Sequence, residues 1–337
     1  MDRGLTNSRV LVTGGAGFIG SHLIERLLNL GQRVRCVDDF STGLHSNIDA
    51  VRALVGEQAF ARFDLLEGDL ADDSIAQQAV QGMDLVLHQA ALGSVPRSIK
   101  QPLRTYRANV LAFCNLLESC RMEGIKRVVF ASSSSVYGDE PNLPKYEARV
   151  GHVLSPYAAS KMMDELWAES YSAAYPMTCV GLRYFNVFGP RQRPDGPYAA
   201  VIPRWIASMA EGRAPMVFGD GEQSRDFTPI ELVVQTNITA AMNADIKPDR
   251  LLACNVALGG RLSLNQLEGM LRAAIRELLP QVDIPPPEYL EPRAGDVRHS
   301  QADITNLQQL LGALPRLDLP AAMAELCRHS LQDPSAL

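Results

Sequence analysis

Short apolar runs alternate with longer amphipathic stretches through the first half of the chain. Runs rich in Val, Ile and Leu predict buried strands, because a strand covered on both faces is apolar at successive positions. They lie at 9–14, 33–39, 63–70, 84–91, 127–133 and 177–185. Apolar residues at helical spacing predict helices at 21–31, 101–124 and 155–176. This alternation predicts an α/β fold with an open, doubly wound parallel sheet.

The pattern changes after residue 185, where Pro and Gly become frequent. Helical stretches recur near 201–212, 230–244, 263–279 and 318–331. We predict a first domain over 1–185 and a smaller α/β lobe over 186–337. Segments near 225–257 are expected to return to the first domain. The smaller lobe should lie over the carboxyl ends of the sheet strands.

Composition excludes several classes of function. The chain has 337 residues with a net charge of −6 and scattered Lys and Arg, so no nucleic-acid surface is expected. No stretch is long enough to span a bilayer, and the start shows no apolar signal segment. The six cysteines form no Cys-x-x-Cys pair and the six histidines show no ligand spacing. We therefore expect a cytoplasmic protein without a metal site.

A glycine-rich loop joins the first strand to the first helix. "VTGGAGFIGSHL" places Gly14, Gly17 and Gly20 where backbone can approach a pyrophosphate at a helix amino terminus. The alternative is a tight turn without a ligand. The position of the loop at the first strand–helix junction favours a dinucleotide site.

Acidic residues follow the second and third strands. Asp38 lies where a carboxylate accepts the hydroxyls of an adenosine ribose, and with Asp39 it would repel a 2′-phosphate. NAD is therefore favoured over NADP, although Arg35 lies nearby within the strand. Asp69 and Leu70 would flank the adenine, the alternative for Asp69 being a residue of a strand-end turn.

Tyr157 and Lys161 are four residues apart and share one face of a predicted helix. Ser155 can cap that helix and Pro156 suits its first position. An ammonium group beside a phenol favours the phenolate, which is the base needed to deprotonate an alcohol. Taken alone, the pair is better explained as two exposed side chains. The run "SSSSVYG" (132–138) is also open to two interpretations, a polar turn or hydroxyls at the edge of an active site.

Together these motifs resemble the extended short-chain dehydrogenase/reductase family. The resemblance runs over nearly the whole chain and includes "TGGAGFIG", "SSSSVYG", Tyr-x-x-x-Lys, "RYFNVFGPRQ" and "GDGEQSRDF". It implies a Rossmann fold in which Tyr157, Lys161 and Ser133 are catalytic, Ser134 is a second contact, and the serines on either side are structural. The implied NAD-binding residues are Gly14, Gly17, Phe18, Ile19, Gly20, Asp38, Asp39, Ser41, Thr42, Gly43, Asp69, Leu70, Gln89, Ala90, Ala91, Tyr157, Lys161 and Val187.

The neighbours of the serines indicate a subgroup. Dehydratases of the family carry an acid pair at this strand tip and decarboxylases a glutamate, whereas this tip is serine throughout. "HQAALGSVPRSI" (88–99) resembles bacterial epimerases of N-acetylated UDP-hexosamines. The resemblance implies reversible 4-epimerisation of UDP-N-acetylglucosamine to UDP-N-acetylgalactosamine, with their uronic acids as further candidate substrates. The alternatives are a 4-epimerase of non-acetylated UDP-hexoses or UDP-glucuronate, and a binding protein that senses NAD without turnover.

The resemblance also implies a UDP-sugar site. Arg225 and Arg293 match two arginines for a diphosphate, for which Arg261 is a weaker candidate; each alone could be a surface ion-pair residue. Ser300 stands where hexose-only epimerases have tyrosine, so it leaves room for an acetamide, unless it is a small loop residue without a selective role. The implied substrate residues are Ser94, Ser133, Ser134, Tyr157, Asn186, Ala200, Arg225, Arg261, Arg293 and Ser300.

Two predicted helices, 101–124 and 155–176, follow adjacent strands and should lie side by side. We expect their outer faces to carry apolar residues, including Met162, Leu166 and Phe113. Exposed apolar faces of this kind need a partner. We therefore expect a homodimer closed by a four-helix bundle.

Overall fold

A computed structural model describes residues 8–194, 200–243, 245–246, 251–292, 297–312 and 318–332. Its strands are β1 (Arg9–Thr13), β2 (Arg33–Asp38), β3 (Phe63–Glu67), β4 (Leu85–His88), β5 (Arg127–Ser133), β6 (Thr178–Tyr184), β7 (Asn186–Phe188), β8 (Met216–Phe218), β9 (Ser224–Arg225), β10 (Phe227–Pro229), β11 (Leu252–Val256), β12 (Leu262–Ser263) and β13 (Glu288–Leu290). Seven of them form a parallel sheet in the order β11-β6-β5-β4-β1-β2-β3. The predicted α/β, doubly wound fold is confirmed.

The helices cover both faces of this sheet and build the smaller lobe. They are α1 (Phe18–Asn29), α2 (His45–Phe60), α3 (Asp73–Val80), α4 (Val95–Lys100), α5 (Pro102–Tyr106), α6 (Ala112–Glu123), α7 (Pro156–Ala174), α8 (Val201–Ala210), α9 (Ile230–Met242), α10 (Leu264–Leu278), α11 (Thr305–Leu311) and α12 (Leu319–Gln332). A π-helical turn, Arg107–Leu111, joins α5 to α6. The helix predicted at 101–124 therefore contains one wide turn, and the short α4 precedes it.

The strand order reverses between β1 and β4. From β1 the chain proceeds outward to β2 and β3, whereas β4, β5 and β6 extend the sheet on the other side. The loops that leave β1 and β4 therefore diverge at the carboxyl edge of the sheet. Such a reversal leaves a crevice at that edge, where open α/β sheets bind their ligands.

The smaller lobe has an apolar core of its own. Side chains of α8, α10 and α12 pack together there, including Trp205, Leu271 and Met323. Three small two-stranded sheets, β7 with β10, β9 with β12 and β8 with β13, connect these helices. Between α8 and α10 along the chain, α9 packs on the main sheet. The strand β11 follows α9 and pairs with β6, from Leu252↔Val180 to Val256↔Tyr184.

The predicted position of Phe113 on an outer helix face is wrong. Phe113 is fully buried, and its ring lies between those of Phe130 and His88 at centroid distances of 4.9 and 5.0 Å. The π-helical turn just before α6 adds a residue to the helical repeat, so a uniform period assigned the wrong face. Met162 is half-buried, and Leu166 is 58% exposed as predicted for an outer face.

Candidate active site

A cleft of 610 Å³ occupies the crevice at the carboxyl edge of the sheet. It extends from the glycine loop after β1 to the tip of β5 and the start of α7. Every residue that the resemblance assigns to NAD, from Gly14 to Val187, lines this cleft. The sequence motifs, which are far apart along the chain, therefore meet in one concave site.

The glycine loop leaves no room for side chains on the wall of the cleft. Gly14 has φ = +65°, and a Cβ there would lie 2.7 Å from the backbone of Ala90. A Cβ on Gly20 would lie 2.2 Å from the carbonyl oxygen of Gly14. Gly17 is the N-cap of α1 and has no side chain to cover the first-turn N–H groups. These groups can therefore donate to a phosphate, as a pyrophosphate site requires.

Asp38 is buried at the end of β2, beside the glycine loop. Its Oδ2 accepts a hydrogen bond from Ala16 N and its Oδ1 one from Phe40 N, both at 2.9 Å. Burial raises the pKa of this carboxyl group, while the two N–H donors oppose the rise. Arg35 projects elsewhere and pairs with Asp64 at 2.8 Å. The cleft therefore offers an acceptor to ribose hydroxyls, and Arg35 is not available to bind a 2′-phosphate.

The serines at the tip of β5 have different partners. Ser132 donates to Glu165 on α7 at 2.5 Å. The hydroxyl of Ser133 accepts from the backbone N–H of Ser135 at 3.1 Å, so its own hydrogen can be donated into the cleft. Ser134 lines the same cleft. All four serines line the cleft, but the Ser132 hydroxyl is directed to Glu165, whereas the Ser133 hydroxyl can donate into the site.

The start of α7 brings Tyr157 and Lys161 to the same wall. The hydroxyl of Ser155 accepts from Ala158 N at 3.1 Å and caps the helix, and Pro156 follows it in the first turn. Tyr157 and Lys161 both line the cleft. The Lys161 ammonium lies 3.1 Å from Oδ2 of Asp164, an acid that the motif does not include.

A buried histidine, His88, ends β4 next to the cleft residue Gln89. His88 Nδ1 lies 2.7 Å from the hydroxyl of Thr13, which also accepts from Gln89 N and Ala90 N at 3.2 Å. A hydroxyl that accepts from both N–H groups donates its hydrogen to Nδ1. Burial, with a smaller effect of the Lys161 charge, lowers the pKa of His88 to about 3. The ring is therefore neutral and serves as a fixed hydrogen-bond acceptor.

A second cleft of 230 Å³ adjoins the first. Asn186, Val187 and Gln192 line both clefts, so the two are continuous. Ala200 and Arg225, two of the predicted substrate residues, line the second one. Ser94, Ser133 and Ser134 line the first cleft together with Tyr157. This arrangement places candidate sugar contacts in the first cleft and a cationic side chain in the second.

Two of the described substrate candidates are not among the residues that line the clefts. Arg261 is exposed, although the next residue, Leu262, pairs with Arg225. Ser300 is half-buried, and its N–H donates to Ser224 O at 3.0 Å, so it lies beside β9. Arg293 falls outside the described residues. The roles assigned to these three remain predictions.

Sequence reasoning missed several residues of the site. Tyr184, at the end of β6, lines the first cleft and donates to Gln89 Oε1 at 3.0 Å. Arg191 also lines it, has φ = +64° and pairs with Glu25 on α1 at 2.5 Å. The cationic cluster "GPRQRP" was visible as a signal for Arg191. The position of Tyr184 depends on the strand register, which only the fold supplies.

Residues 10–256 match the NAD dependent epimerase/dehydratase family. The chain belongs to this family. It is accordingly an NAD-dependent enzyme, and the glycine loop and Asp38 described above fit that cofactor. Within the described residues, no helix could span a membrane and no cluster of His, Cys, Asp and Glu could hold a metal ion.

Similar proteins span almost the full length of the chain. A UDP-glucose 4-epimerase of Mycolicibacterium smegmatis is 34% identical, covering 94% of this chain and 96% of the relative. The structure of a UDP-N-acetylglucosamine 4-epimerase from Methanobrevibacter ruminantium, complexed with UDP-N-acetylmuramic acid, is 36% identical with a TM-score of 0.88, covering 97% and 99% of the chains. MoeE5, complexed with UDP-glucuronic acid and NAD, is 33% identical with a TM-score of 0.82, covering 96% and 99%.

Proposed function

We propose that this enzyme is a UDP-N-acetylglucosamine 4-epimerase that also accepts the corresponding uronic acids. One observation carries the choice of reaction. The described acids lining the main cleft are Asp38, Asp39 and Asp69, which lie at or just after the ends of β2 and β3, whereas the tip of β5 presents hydroxyls. No described carboxyl group of this lining lies at the strand tip beside Tyr157. The arrangement suits reversible oxidation of an alcohol and provides no such acid for expelling water.

The proposed chemistry uses three side chains at the junction of β5 and α7. NAD, when bound, supplies a hydride acceptor for an alcohol carbon. Tyr157 removes the proton of the sugar 4-hydroxyl, and Ser133 donates a hydrogen bond to the same oxygen. Lys161 stabilises the phenolate and binds the nicotinamide ribose. The resulting 4-keto sugar rotates and is reduced on its opposite face, with Tyr157 returning the proton.

The two adjoining clefts support rotation of the sugar about a fixed nucleotide. Arg225 lines the second cleft, where a planar guanidinium suits diphosphate oxygens. Trp205 and Phe218 line the same cleft and offer apolar surface to a uracil ring. The sugar would then lie at the junction near Asn186. Strong binding of the nucleotide with few contacts to the sugar permits both faces of carbon 4 to be presented.

Preference for acetylated sugars is supported by small side chains and by a similar protein. Ser94 lines the main cleft, and Ser300 lies beside the strand that carries Arg225. The similar Methanobrevibacter protein is named a UDP-N-acetylglucosamine 4-epimerase. The alternative, a 4-epimerase of UDP-glucose or UDP-glucuronate, is favoured by the names of the Mycolicibacterium relative and the MoeE5 complex.

We also propose that the active protein is a homodimer. Large apolar side chains of α5 and α7 are exposed together, namely Leu103, Tyr106, Met163, Leu166 and Trp167. Leu103 is 81% exposed. The α5–α6 segment and α7 are neighbours, so two copies can bury these faces as a four-helix bundle.

The proposed function is tested by assaying epimerisation of UDP-N-acetylglucosamine, UDP-glucose, UDP-glucuronate and UDP-N-acetylglucosaminuronate. We expect the acetylated sugars to have the higher kcat/KM. A higher value for UDP-glucose would select the alternative. A protein that binds NAD but converts none of these UDP-sugars would instead be a sensor, and our assignment of Tyr157 would be wrong.

A further inference from the structure

Asp164 extends the row of functional side chains along α7. Tyr157, Lys161 and Asp164 follow one another at intervals of four and three residues, so they share one face of the helix. Asp164 is fully buried, and its Oδ2 lies 3.1 Å from the Lys161 ammonium. Its other oxygen, Oδ1, is buried without a hydrogen-bond partner. Lys161 lines the cleft and Asp164 does not, so the carboxyl group lies behind the lysine.

The groups around this pair do not replace Asp164 as a counter-ion. Burial and the Asp164 charge raise the pKa of Cys114 on α6 to about 11, so its thiol is neutral. His88 on β4 is neutral as well. Glu165 follows on α7, but its carboxylate binds Arg183 of β6 at 2.7 Å and Ser132 of β5. Within the described chain, Asp164 is the carboxylate in hydrogen-bond contact with Lys161.

A buried ammonium needs such a partner. Burial disfavours the charged form of a lysine, and a carboxylate within hydrogen-bond distance offsets that penalty. An ammonium carries three N–H donors. One donor directed at Asp164 leaves two for the cleft, which matches the two adjacent hydroxyls of a ribose.

We propose that Asp164 is a positioning residue that keeps the Lys161 ammonium charged and holds two of its donors toward the cleft. The proposal rests on the function proposed above for Tyr157 and Lys161. It assigns no contact between Asp164 and substrate or cofactor. Asp164 acts through Lys161 alone.

Asp164→Asn is the test, because it keeps the shape of the side chain and removes its charge. We expect the high-pH limb of the kcat profile to move down by about one pH unit or more, which is a tenfold lower rate within that limb. KM for the UDP-sugar should change by less than ~2-fold, since the binding cleft is untouched. Glu118→Gln is the matched control, because Glu118 is a carboxylate of the α6–α7 contact that binds Tyr171 instead. In Glu118→Gln, the high-pH limb of the kcat profile should stay at the wild-type pH.

A second readout does not depend on turnover. The chain contains five lysines, Lys100, Lys126, Lys145, Lys161 and Lys247, so NMR spectra of lysine-labelled protein are simple. The Lys161 signal, identified by its loss in Lys161→Met, should show deprotonation at a lower pH in Asp164→Asn than in wild type. An unchanged Lys161 titration would overturn the proposal. If Lys161 responds but the rate profile does not, the charge pairing stands and the catalytic role of Lys161 fails.

The wild-type protein provides a test that needs no variant at position 164. Burial raises the pKa of Asp164 to about 6, against the opposing effect of Lys161. The Lys161 signal should therefore shift under mildly acidic conditions, as its partner gains a proton. A Lys161 signal that does not respond when Asp164 gains its proton would also overturn the proposal.

Discussion

The Ser132 hydroxyl donates a 2.5 Å hydrogen bond to Glu165, joining the tip of β5 to the middle of α7. Glu165 also forms a buried ion pair with Arg183 of β6, in which two guanidinium nitrogens bind its two oxygens at 2.9 and 2.7 Å. Three elements are thus fixed to each other directly beneath Ser133, Tyr157 and Lys161. The relative position of the proposed base and its partner serine depends on this buried group.

Replacing Glu165 should be costly to stability. Glu165→Gln removes one partner of a buried pair and leaves the Arg183 charge uncompensated, so the free energy of unfolding should fall by about 3 kcal/mol. Denaturation in urea measures this value. Glu118→Gln, which removes the partner of the more exposed Arg121, should cost less than ~1 kcal/mol. Similar losses in the two variants would contradict a structural role for the buried pair.

Tyr157→Phe should abolish most turnover without unfolding the protein. The substitution retains the ring and removes the ionisable oxygen, so we expect kcat to fall by at least ~10²-fold. Tyr171→Phe is a suitable control, because Tyr171 lies on the same helix and donates to Glu118 away from the cleft. Epimerisation rates and circular dichroism check both variants. Near wild-type activity in Tyr157→Phe would eliminate it as the base.

Ser300→Tyr should discriminate against acetylated sugars. A tyrosine beside the sugar fills the volume that an acetamide needs, and a close-packed site absorbs extra volume only with strain. The ratio of kcat/KM for UDP-N-acetylglucosamine to that for UDP-glucose should fall by the equivalent of roughly 1–3 kcal/mol. Ser300→Ala should leave the ratio in place. If Ser300→Tyr also leaves the ratio of kcat/KM values unchanged, the selectivity lies elsewhere, and Ser94 is the next candidate.

Leu166→Glu should dissociate the proposed dimer. A charge placed at the centre of the exposed apolar face of α7 cannot be buried without a partner. Sedimentation velocity at micromolar concentration should show a dimer for wild type and a monomer for this variant. Leu54→Glu is the control, because Leu54 is an exposed apolar residue of α2. A wild-type monomer, or a dimer that survives Leu166→Glu, would rule out the helical interface.

Stability should decline on mild acidification because of His88. Burial lowers its pKa to about 3 in the folded protein, well below the ordinary histidine value of 6.5. A depressed base contributes stability that is present above pH 6.5 and is lost as the pH falls toward the folded value. Between pH 6.5 and pH 5, the resulting loss in the free energy of unfolding is about 2 kcal/mol. Urea denaturation at pH 6.5 and pH 5 measures the change in the free energy of unfolding between the two pH values. This change should be smaller in His88→Asn than in wild type by about 2 kcal/mol. Equal changes in the variant and in wild type would show that His88 is not buried in its neutral form.

Local chemistry made much of the site predictable. Gly14 and Gly20 are required because a Cβ at either position would overlap neighbouring backbone atoms. The spacing of these glycines is recognisable from the sequence alone. Tyr157 and Lys161 are related by one helical turn, which the sequence specifies. The proposal for Ser133 depended on the resemblance as well, since four consecutive serines do not reveal which hydroxyl is free to donate to a substrate.

Features that depend on long-range packing were not predictable in this way. Phe113 was assigned to the wrong face because a π-helical turn shifts the phase of the helix that follows it. Asp164 is fully buried, although its position on a helix gives no sign of this in the sequence. Tyr184 reaches the cleft because β6 ends level with β5 in the sheet. The positions of Asp164 and Tyr184 depend on contacts between segments that are distant along the chain, whereas that of Phe113 depends on a local irregularity of its own helix.

The pairing of β11 with β6 determines how the chain can be divided. Every residue of β6 is buried, and β11 covers the edge that faces away from β5. A fragment that stopped at residue 185 would keep the nucleotide loop and the base but expose that edge, whose unpaired N–H and C=O groups invite another strand. The chain therefore builds part of the smaller lobe between β6 and β11, returns to the sheet at β11, and then adds α10 and α12 to the same lobe. The strand β11 protects the protein from edge-to-edge self-association.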